Sequence, residues 1–198
     1  MKKLILLISF LAILISPVLA GEKEEVQATV RAKVDEVLNH LANKALDKKQ
    51  KGEKIIATIN PVFDFDRMAK LSLGKTGWVQ MNEKQRTEFL SLFVKRLQES
   101  YLEKLDLYTD EKVSIDAVDQ PEENRINVVT NLVSKDDKKE MIYKFYKNGP
   151  KWMVYDVEIL GVSIVATYRS QFAGILKTGT VEDLLQKLRT SAFEVPTA

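Results

Sequence analysis

The sequence predicts an α+β domain in which an antiparallel meander sheet is covered by helices. Two observations support this fold class. Before residue 106 and after residue 162, apolar residues recur every three or four positions, which is the spacing of one helix face. Between residues 112 and 159 the apolar period changes to two, and short turns separate the alternating runs. Strands with such short connections pair with their neighbours, and the flanking helices cover one face of the sheet.

Three helices are predicted in the amino-terminal part of the chain. The first runs from about residue 22 to residue 47, and a short segment over 54–59 is the second. Asp66 is placed to cap the third helix, because an aspartate side chain can accept a hydrogen bond from a first-turn amide. Gly74 lies beyond the expected end of this helix.

The longest apolar stripe predicts a fourth helix that extends to about Leu105. Asn82 and Gln85 are three positions apart at its start, as in a capping box, although Ser or Thr is the usual first residue. Ser163 is placed to cap a helix that follows the strands and ends at Gly179. A last helix opens directly after that glycine.

Four strands are predicted between these helical regions. They cover residues 113–117, 126–132, 141–146 and 152–159, and turns fall at 121–124, 135–138 and 148–150. Alternation gives each strand two distinct faces, and a slip of one residue would exchange them. The pattern therefore leaves open which side chains point towards the helices.

Residues 1–20 have the pattern of a secretory signal. Lys2 and Lys3 precede an apolar run, and small residues lead to a cleavage site after Ala20. The run over residues 4–15 is shorter than the about 20 residues that span a bilayer. The chain has no cysteine that could carry a lipid anchor. We therefore expect export and cleavage, which leaves one soluble domain over residues 21–198.

The charge balance argues against nucleic acid as a partner. The chain has 30 Lys and Arg and 28 Asp and Glu, and the predicted signal contains two of the lysines and none of the acidic residues. The mature domain thus has no formal net charge, whereas basic residues supply much of the affinity of nucleic-acid-binding proteins. Because cysteine is absent, no disulfide can stabilise the domain, and its stability must come from packing.

Residues with catalytic or metal-binding chemistry are sparse. His40 is the only histidine, so a zinc site built from protein ligands is not expected, nor is any other metal site. Asp156 and Glu158 share one strand face and could form an acid/base pair, although an exposed polar face is the preferred interpretation. Ser163 follows Gly161 as in a nucleophile elbow, but the second glycine of that motif is missing. We therefore expect a protein without enzymatic activity.

The segment over residues 152–172 has the sequence WMVYDVEILGVSIVATYRSQF. This segment resembles the signature region of the MlaC family, the periplasmic phospholipid-binding proteins of the maintenance-of-lipid-asymmetry pathway, also called toluene-tolerance proteins. Leu160 and Thr167 depart from the family pattern, in which glutamate and asparagine are common. A second block matches the family in the same order. Its residues are Phe63, Asp64, Phe65, Met68, Ala69, Leu73, Gly74, Trp78, Gln85, Phe89, Phe93 and Tyr101.

The resemblance implies an NTF2-like or MlaC-like α+β fold with an apolar pocket between sheet and helices. Such a pocket takes the acyl chains of a phospholipid, which is cargo and not a cofactor. The resemblance also implies a periplasmic shuttle between two membrane complexes. One is an outer-membrane lipoprotein–porin complex, and the other is an inner-membrane lipid ABC transporter with its substrate-binding-domain subunit. It implies no catalytic residues.

We expect the pocket wall to combine the long helix with the sheet. Val162 and Phe172 are expected to close one end. Arg169 could meet the lipid phosphate or form a structural salt bridge with Asp156 or Glu158. The expected lipid-binding residues are Phe89, Phe93, Leu97, Tyr101, Met141, Tyr143, Phe145, Met153, Tyr155, Val162, Tyr168, Arg169 and Phe172.

Two alternatives to a lipid carrier remain open from the residues alone. The first is a small α+β hydrolase or isomerase that uses Asp156 and Tyr155. The second is a ligand-free interaction module of the cell envelope with a filled core. Periodicity does not distinguish a filled interior from a hollow one. The carrier hypothesis therefore depends on a cavity between the helices and the sheet.

Overall fold

The computed structural model of the protein describes residues 18–102, 112–134 and 138–190. Within these residues the chain forms six helices and five strands, and the predicted α+β class is confirmed. The helices are α1 (Val18–Ala42), α2 (Lys48–Ile59), α3 (Phe65–Gln80), α4 (Glu83–Leu102), α5 (Ile164–Thr178) and α6 (Val181–Arg189). The strands are β1 (Lys112–Glu122), β2 (Arg125–Val133), β3 (Lys138–Asn148), β4 (Lys151–Ile159) and β5 (Val162–Ser163).

The strands form one antiparallel sheet in the order β1-β2-β3-β4-β5. Each strand pairs with its neighbour in sequence, because the connections are too short to cross another strand. The segment between α2 and α3 adds a parallel bridge from Phe63 to Val154. The Asp64 amide donates to the Val154 carbonyl at 2.8 Å, and the Val154 amide donates to the Val62 carbonyl at 2.8 Å. These bonds fix the start of α3 to β4.

The helices cover one face of the sheet, and the other face is less buried. Along β2, Ile126, Val128 and Thr130 are fully buried, whereas the alternate residues Asn127 and Val129 are only partly buried. The apolar core lies between this buried face and helices α1, α3, α4, α5 and α6. None of the helices within the described ranges is long and apolar enough to cross a membrane.

Two of the predicted caps are confirmed by local hydrogen bonds. Asn82 and Gln85 form the reciprocal bonds of a capping box, with distances of 3.0 and 2.9 Å between amide nitrogen and side-chain oxygen. Ser163 Oγ accepts a bond from the Ala166 amide at 3.0 Å. Both caps connect residues three positions apart, so the sequence alone carries the information.

Other helix boundaries differ from the prediction. Asp64, and not Asp66, caps α3, because the bond to β4 ends the extended segment there and turns the Asp64 side chain to the Arg67 amide at 2.9 Å. Gly74 interrupts α3 with a φ of 72°, and the helix resumes beyond it. The first helix ends at Ala42, and the second begins at Lys48. The predicted fourth-helix end at Leu105 lies outside the described residues, as does the turn over 135–137.

The turn between β4 and β5 contains a strained residue. Leu160 has a φ of 50°, which is the left-handed region that side chains with a β-carbon rarely adopt, and Gly161 follows with a φ of 79°. The Leu160 amide donates to the Glu140 carbonyl at 3.0 Å, which holds the turn against β3. The Leu160 side chain is 52% exposed, so little packing compensates for the strain.

We expect Leu160→Gly to raise the free energy of unfolding by about 0.5–1 kcal/mol, because glycine removes the steric cost of the left-handed conformation. Urea unfolding measures the difference. Val162→Gly is the matched control, since Val162 is similarly exposed but lies in a strand, and this change should lower stability. A Leu160→Gly protein less stable than the parent would show that the turn is not strained.

Candidate functional site

A cavity of about 300 Å³ lies between helices α1 and α2 and the inner face of the sheet. It is partly open to solvent, and its lining is almost entirely apolar. One wall is the apolar stripe of α1, whose members are three or four positions apart and therefore face the same way. These wall residues are Val30, Val34, Val37, Leu38 and Leu41.

The remaining walls come from α2, α4 and the first four strands, with smaller contributions from the start of α3, the segment before it and the start of α5. Ile55 and Leu97 are buried lining residues of α2 and α4. Phe145 of β3 and Val157 of β4 are buried on the sheet side, whereas Leu132 at the end of β2 is only partly buried. Side chains of the two layers thus surround a space that they do not fill.

Three polar side chains interrupt the apolar lining that the described residues provide. Thr29 and Lys33 come from α1, and Gln98 comes from α4. Thr29 Oγ1 donates to the Glu25 carbonyl within α1 at 2.9 Å. Gln98 Nε2 donates to Asn60 Oδ1 at 3.3 Å, which ties α4 to the end of α2.

Four of the predicted site residues line this cavity. They are Leu97 of α4 and Met141, Tyr143 and Phe145 of β3. The three β3 residues alternate along the strand, so they share the inner face as expected. Their contact with a lipid stays a prediction.

Four other predicted residues pack against one another in a solid aromatic cluster. Phe89, Phe93 and Phe172 are completely buried, and Tyr168 is 1% exposed. Ring centroids are 5.2 Å apart between Phe93 and Tyr168 and 5.6 Å apart between Phe89 and Phe172, with edge-to-face geometry. These rings fill the space between α4 and α5 and belong to the protein interior, whereas the cavity lies farther along the sheet under α1.

Met153 and Tyr155 lie on the opposite face of β4 from the cavity. The register pairs Phe145 with Val154, and a bulge follows at the step between Lys144 and Phe145. Val154 therefore lines the cavity where Met153 and Tyr155 were expected. The Tyr155 ring instead contacts the Tyr146 ring at 6.0 Å and the Arg125 guanidinium at 5.1 Å.

The last predicted residues lie outside the cavity lining. Val162 is 47% exposed in β5, and Arg169 is exposed on α5, where its guanidinium lies beside Gly74. The Tyr101 side chain lies outside the described residues.

The sequence interpretation did not predict the part of the cavity wall that α1 and α2 form. The sequence feature that could have indicated this wall is the apolar stripe of α1, which is as regular as that of α4.

Asp156 joins β4, β5 and the start of α5. It is 5% exposed, and its carboxylate accepts bonds from Ser163 Oγ at 2.7 Å and from the Val165 amide at 3.1 Å. Lys144 Nζ lies 3.7 Å from Asp156 and 2.6 Å from Glu158. Burial acts to lower the pKa of Lys144, but the bond to Glu158 and the attraction of both carboxylates raise it above its usual value. The ion pair with Asp156 and Glu158, which was one of the two roles considered for Arg169, is thus formed by Lys144.

We expect Asp156→Ala to lower the free energy of unfolding by about 2–4 kcal/mol, because it leaves the Val165 amide without its acceptor and removes the charge that faces Lys144. Urea unfolding measures this loss. Glu158→Ala is the matched control and should cost less than about 1 kcal/mol, since Glu158 is more exposed than Asp156 and water weakens its ion pair with Lys144. Equal losses in the two variants would contradict a structural role specific to Asp156.

We expect stability to fall as the pH rises from 10 to 12. Burial raises the pKa of Tyr168 to about 12 from its usual 10, so in this window the unfolded chain releases a proton that the folded chain retains. The slope from this residue is at most about 1.4 kcal/mol per pH unit. Lys144 adds a loss of the same sign above its usual pKa. Tyr168→Phe should show a shallower decline in the unfolding midpoint between these pH values, and an unchanged slope would refute the assignment to Tyr168.

Comparisons with known proteins agree with this architecture. A solved structure of a phospholipid-binding protein from Ralstonia solanacearum, in complex with a phospholipid, superimposes with a TM-score of 0.74 at 26% identity. The superposition covers 83% of this chain and 94% of that protein. A curated relative from Haemophilus influenzae, the intermembrane phospholipid transport system binding protein MlaC, is 26% identical over 115 residues.

The match to the Haemophilus protein covers 56% of this chain and 54% of the relative, so the chain spans about half the length of the curated relative. The family model described as MlaC protein matches residues 31–190, which is most of the chain. These residues include α2–α6, all five strands and most of the α1 residues that line the cavity. The chain therefore belongs to the MlaC family.

Proposed function

We propose that this protein is a periplasmic phospholipid carrier that shelters acyl chains in the cavity between α1, α2 and the sheet. The observation that supports this function best is the apolar lining of a space of about 300 Å³, which lies within the size range of small-molecule sites. A related fold holds a phospholipid in the Ralstonia protein.

The apolar lining of the cavity argues for an occupant. The cavity is partly open, so its apolar side chains are exposed to water when no ligand is bound. Removing apolar surface from water gains about 25 cal/mol per Å². An apolar molecule that covers the lining is therefore bound more favourably than water. A fatty acyl chain is such a molecule.

The free energy of transferring an acyl chain from water into the cavity is also suited to a carrier. Each methylene transferred from water gains about 0.8 kcal/mol, so a chain of about 15 methylenes gains on the order of 12 kcal/mol before any costs are counted. A phospholipid would therefore remain bound while the carrier crosses an aqueous compartment. Release of the lipid needs a partner protein that stabilises a conformation of the carrier with lower affinity for lipid.

The proposed route connects two membranes. Residues 1–20 direct export and are removed after Ala20, which leaves a single domain over residues 21–198. In the periplasm the carrier exchanges lipid with an outer-membrane lipoprotein–porin complex and with the substrate-binding-domain subunit of an inner-membrane lipid ABC transporter. The name of the Haemophilus relative, which specifies intermembrane phospholipid transport, supports this proposal.

The hydrolase or isomerase alternative gains no support from the geometry around Asp156. Both carboxylate oxygens already accept bonds from the start of α5, and Lys144 lies beside them. The Asp156 side chain thus has the partners of a helix cap and an ion pair. The interaction-module alternative required a filled interior, and the cavity argues against it.

We expect Tyr143→Glu to reduce copurifying phospholipid to less than about a tenth of the parent level, because it places a carboxylate against the acyl chains. Lipid is extracted from the purified protein, identified by mass spectrometry and expressed per mole of protein. Tyr155→Glu is the matched control, since Tyr155 is also half-buried but faces away from the cavity, and it should retain the lipid.

Cooperative unfolding of both variants shows whether they are folded. A folded Tyr143→Glu protein with the parent lipid content would reject this cavity as the lipid site. Native mass spectrometry of the parent provides an independent check. A copurifying mass of two-chain lipid size supports the carrier, and a protein of ligand-free mass, also after incubation with phospholipid, supports the interaction module.

A further inference from the structure

Among the described residues that line the cavity, Lys33 is the only one with a cationic side chain. It lies on α1, and the other lining residues are apolar apart from Thr29 and Gln98. A lysine carries its charge at the end of a flexible apolar stem, so the stem can follow an apolar wall while the ammonium remains near water. Lys33 has this arrangement, since its side chain is 30% exposed.

The ion pair that Lys33 makes is local and weak. Its Nζ lies 3.0 Å from Glu36 Oε2 and 3.1 Å from Glu36 Oε1, one turn farther along the same helix. The Glu36 side chain is 48% exposed. Exposed pairs at this helical spacing contribute only a few tenths of a kcal/mol, so a stronger anion can compete with Glu36 for the ammonium.

The side of α1 that carries Lys33 faces α2. His40 lies seven positions beyond Lys33 and therefore on the same side of the helix. The ring of His40 makes a hydrogen bond with Thr58 Oγ1 of α2 at 3.3 Å. Lys33 lies on this side of α1, about 10 Å from His40 along the helix axis, at the border between the apolar lining and the surface.

We propose that Lys33 binds the phosphate of the phospholipid whose acyl chains occupy the cavity. This inference rests on the proposed carrier function and adds the position of the head group, which leaves the cavity beside Lys33 of α1. An ammonium and a phosphate form a charge-assisted hydrogen bond, and a partly dry cavity border strengthens it relative to bulk water.

Arg169 is the competing phosphate ligand, and its position favours it less. It lies on the exposed side of α5 beside Gly74 and does not line the cavity. Lys33 is in the cavity wall itself.

The test compares two lipids with the same acyl chains, phosphatidylglycerol and diacylglycerol, which differ in the phosphate. Delipidated protein is titrated with each lipid in detergent micelles, and native mass spectrometry measures the bound fraction. We expect Lys33→Met to weaken phosphatidylglycerol binding about tenfold and to leave diacylglycerol binding unchanged. Lys33→Arg should restore phosphatidylglycerol binding, because it restores the cation.

Two control variants remove other cations. Arg31→Met removes an exposed cation from the same helix, and Arg169→Met removes the competing candidate; both should bind the two lipids as the parent does. Unchanged binding in Lys33→Met, an equal loss for both lipids, or the selective loss in Arg169→Met would each overturn the proposal for Lys33. Failure of the parent to bind either lipid would instead overturn the carrier function itself.

Discussion

The separation of α1 and α2 from the sheet is the constraint on which the rest of the structure depends. The chain divides its packing between two regions that share the same sheet. In the first, α3, α4, α5 and α6 pack closely around buried aromatic rings. In the second, α1 packs against α2 and against strands β1 and β2, and the space between the two helices and the sheet is lined but not filled by protein. The close packing in the first region fixes the position of α4, which also forms part of the cavity wall.

Strand β4 connects the two regions. Its inner side chains Val154, Val157 and Ile159 line the cavity, and the bulge in the pairing with β3 lets Val154 and Val157 both point inward although they are three residues apart. Directly after the bulge, Asp156 accepts a bond from the Val165 amide in the first turn of α5, the helix that carries Tyr168. Strand β4 thus contacts both the cavity and the helix that carries part of the aromatic cluster.

The sequence could predict features that depend on neighbours in the chain. The Asn82 cap and the Ser163 cap connect residues three positions apart, and the strands follow from alternation, so these features match the structure. The sequence predicts the α3 cap at Asp66 and not at Asp64, because the local pattern does not show that the Asp64 amide bonds to Val154 of β4, about ninety residues away. Long-range pairing decided that boundary.

The candidate site shows more clearly that a local sequence pattern does not predict contacts between distant parts of the chain. The stripes of α1 and α4 look alike in the sequence, because periodicity reports that a face is apolar and not what it faces. Phe93 faces other rings, whereas Val34 faces the cavity. The inward face of β4 was likewise beyond prediction, since a bulge shifts the register by one residue between Val154 and Asp156.

The closely packed region must also supply most of the stability of the domain. With no cysteine in the chain, no disulfide can contribute. The side chains that line the cavity pack on one side only, so they make fewer contacts than side chains in a filled core. Phe89, Phe93 and Phe172 are completely buried, and a fully buried side chain of this kind contributes about 1.5–3 kcal/mol. The aromatic residues that the sequence suggested as a lipid-binding wall thus stabilise the domain beside the cavity and do not line it.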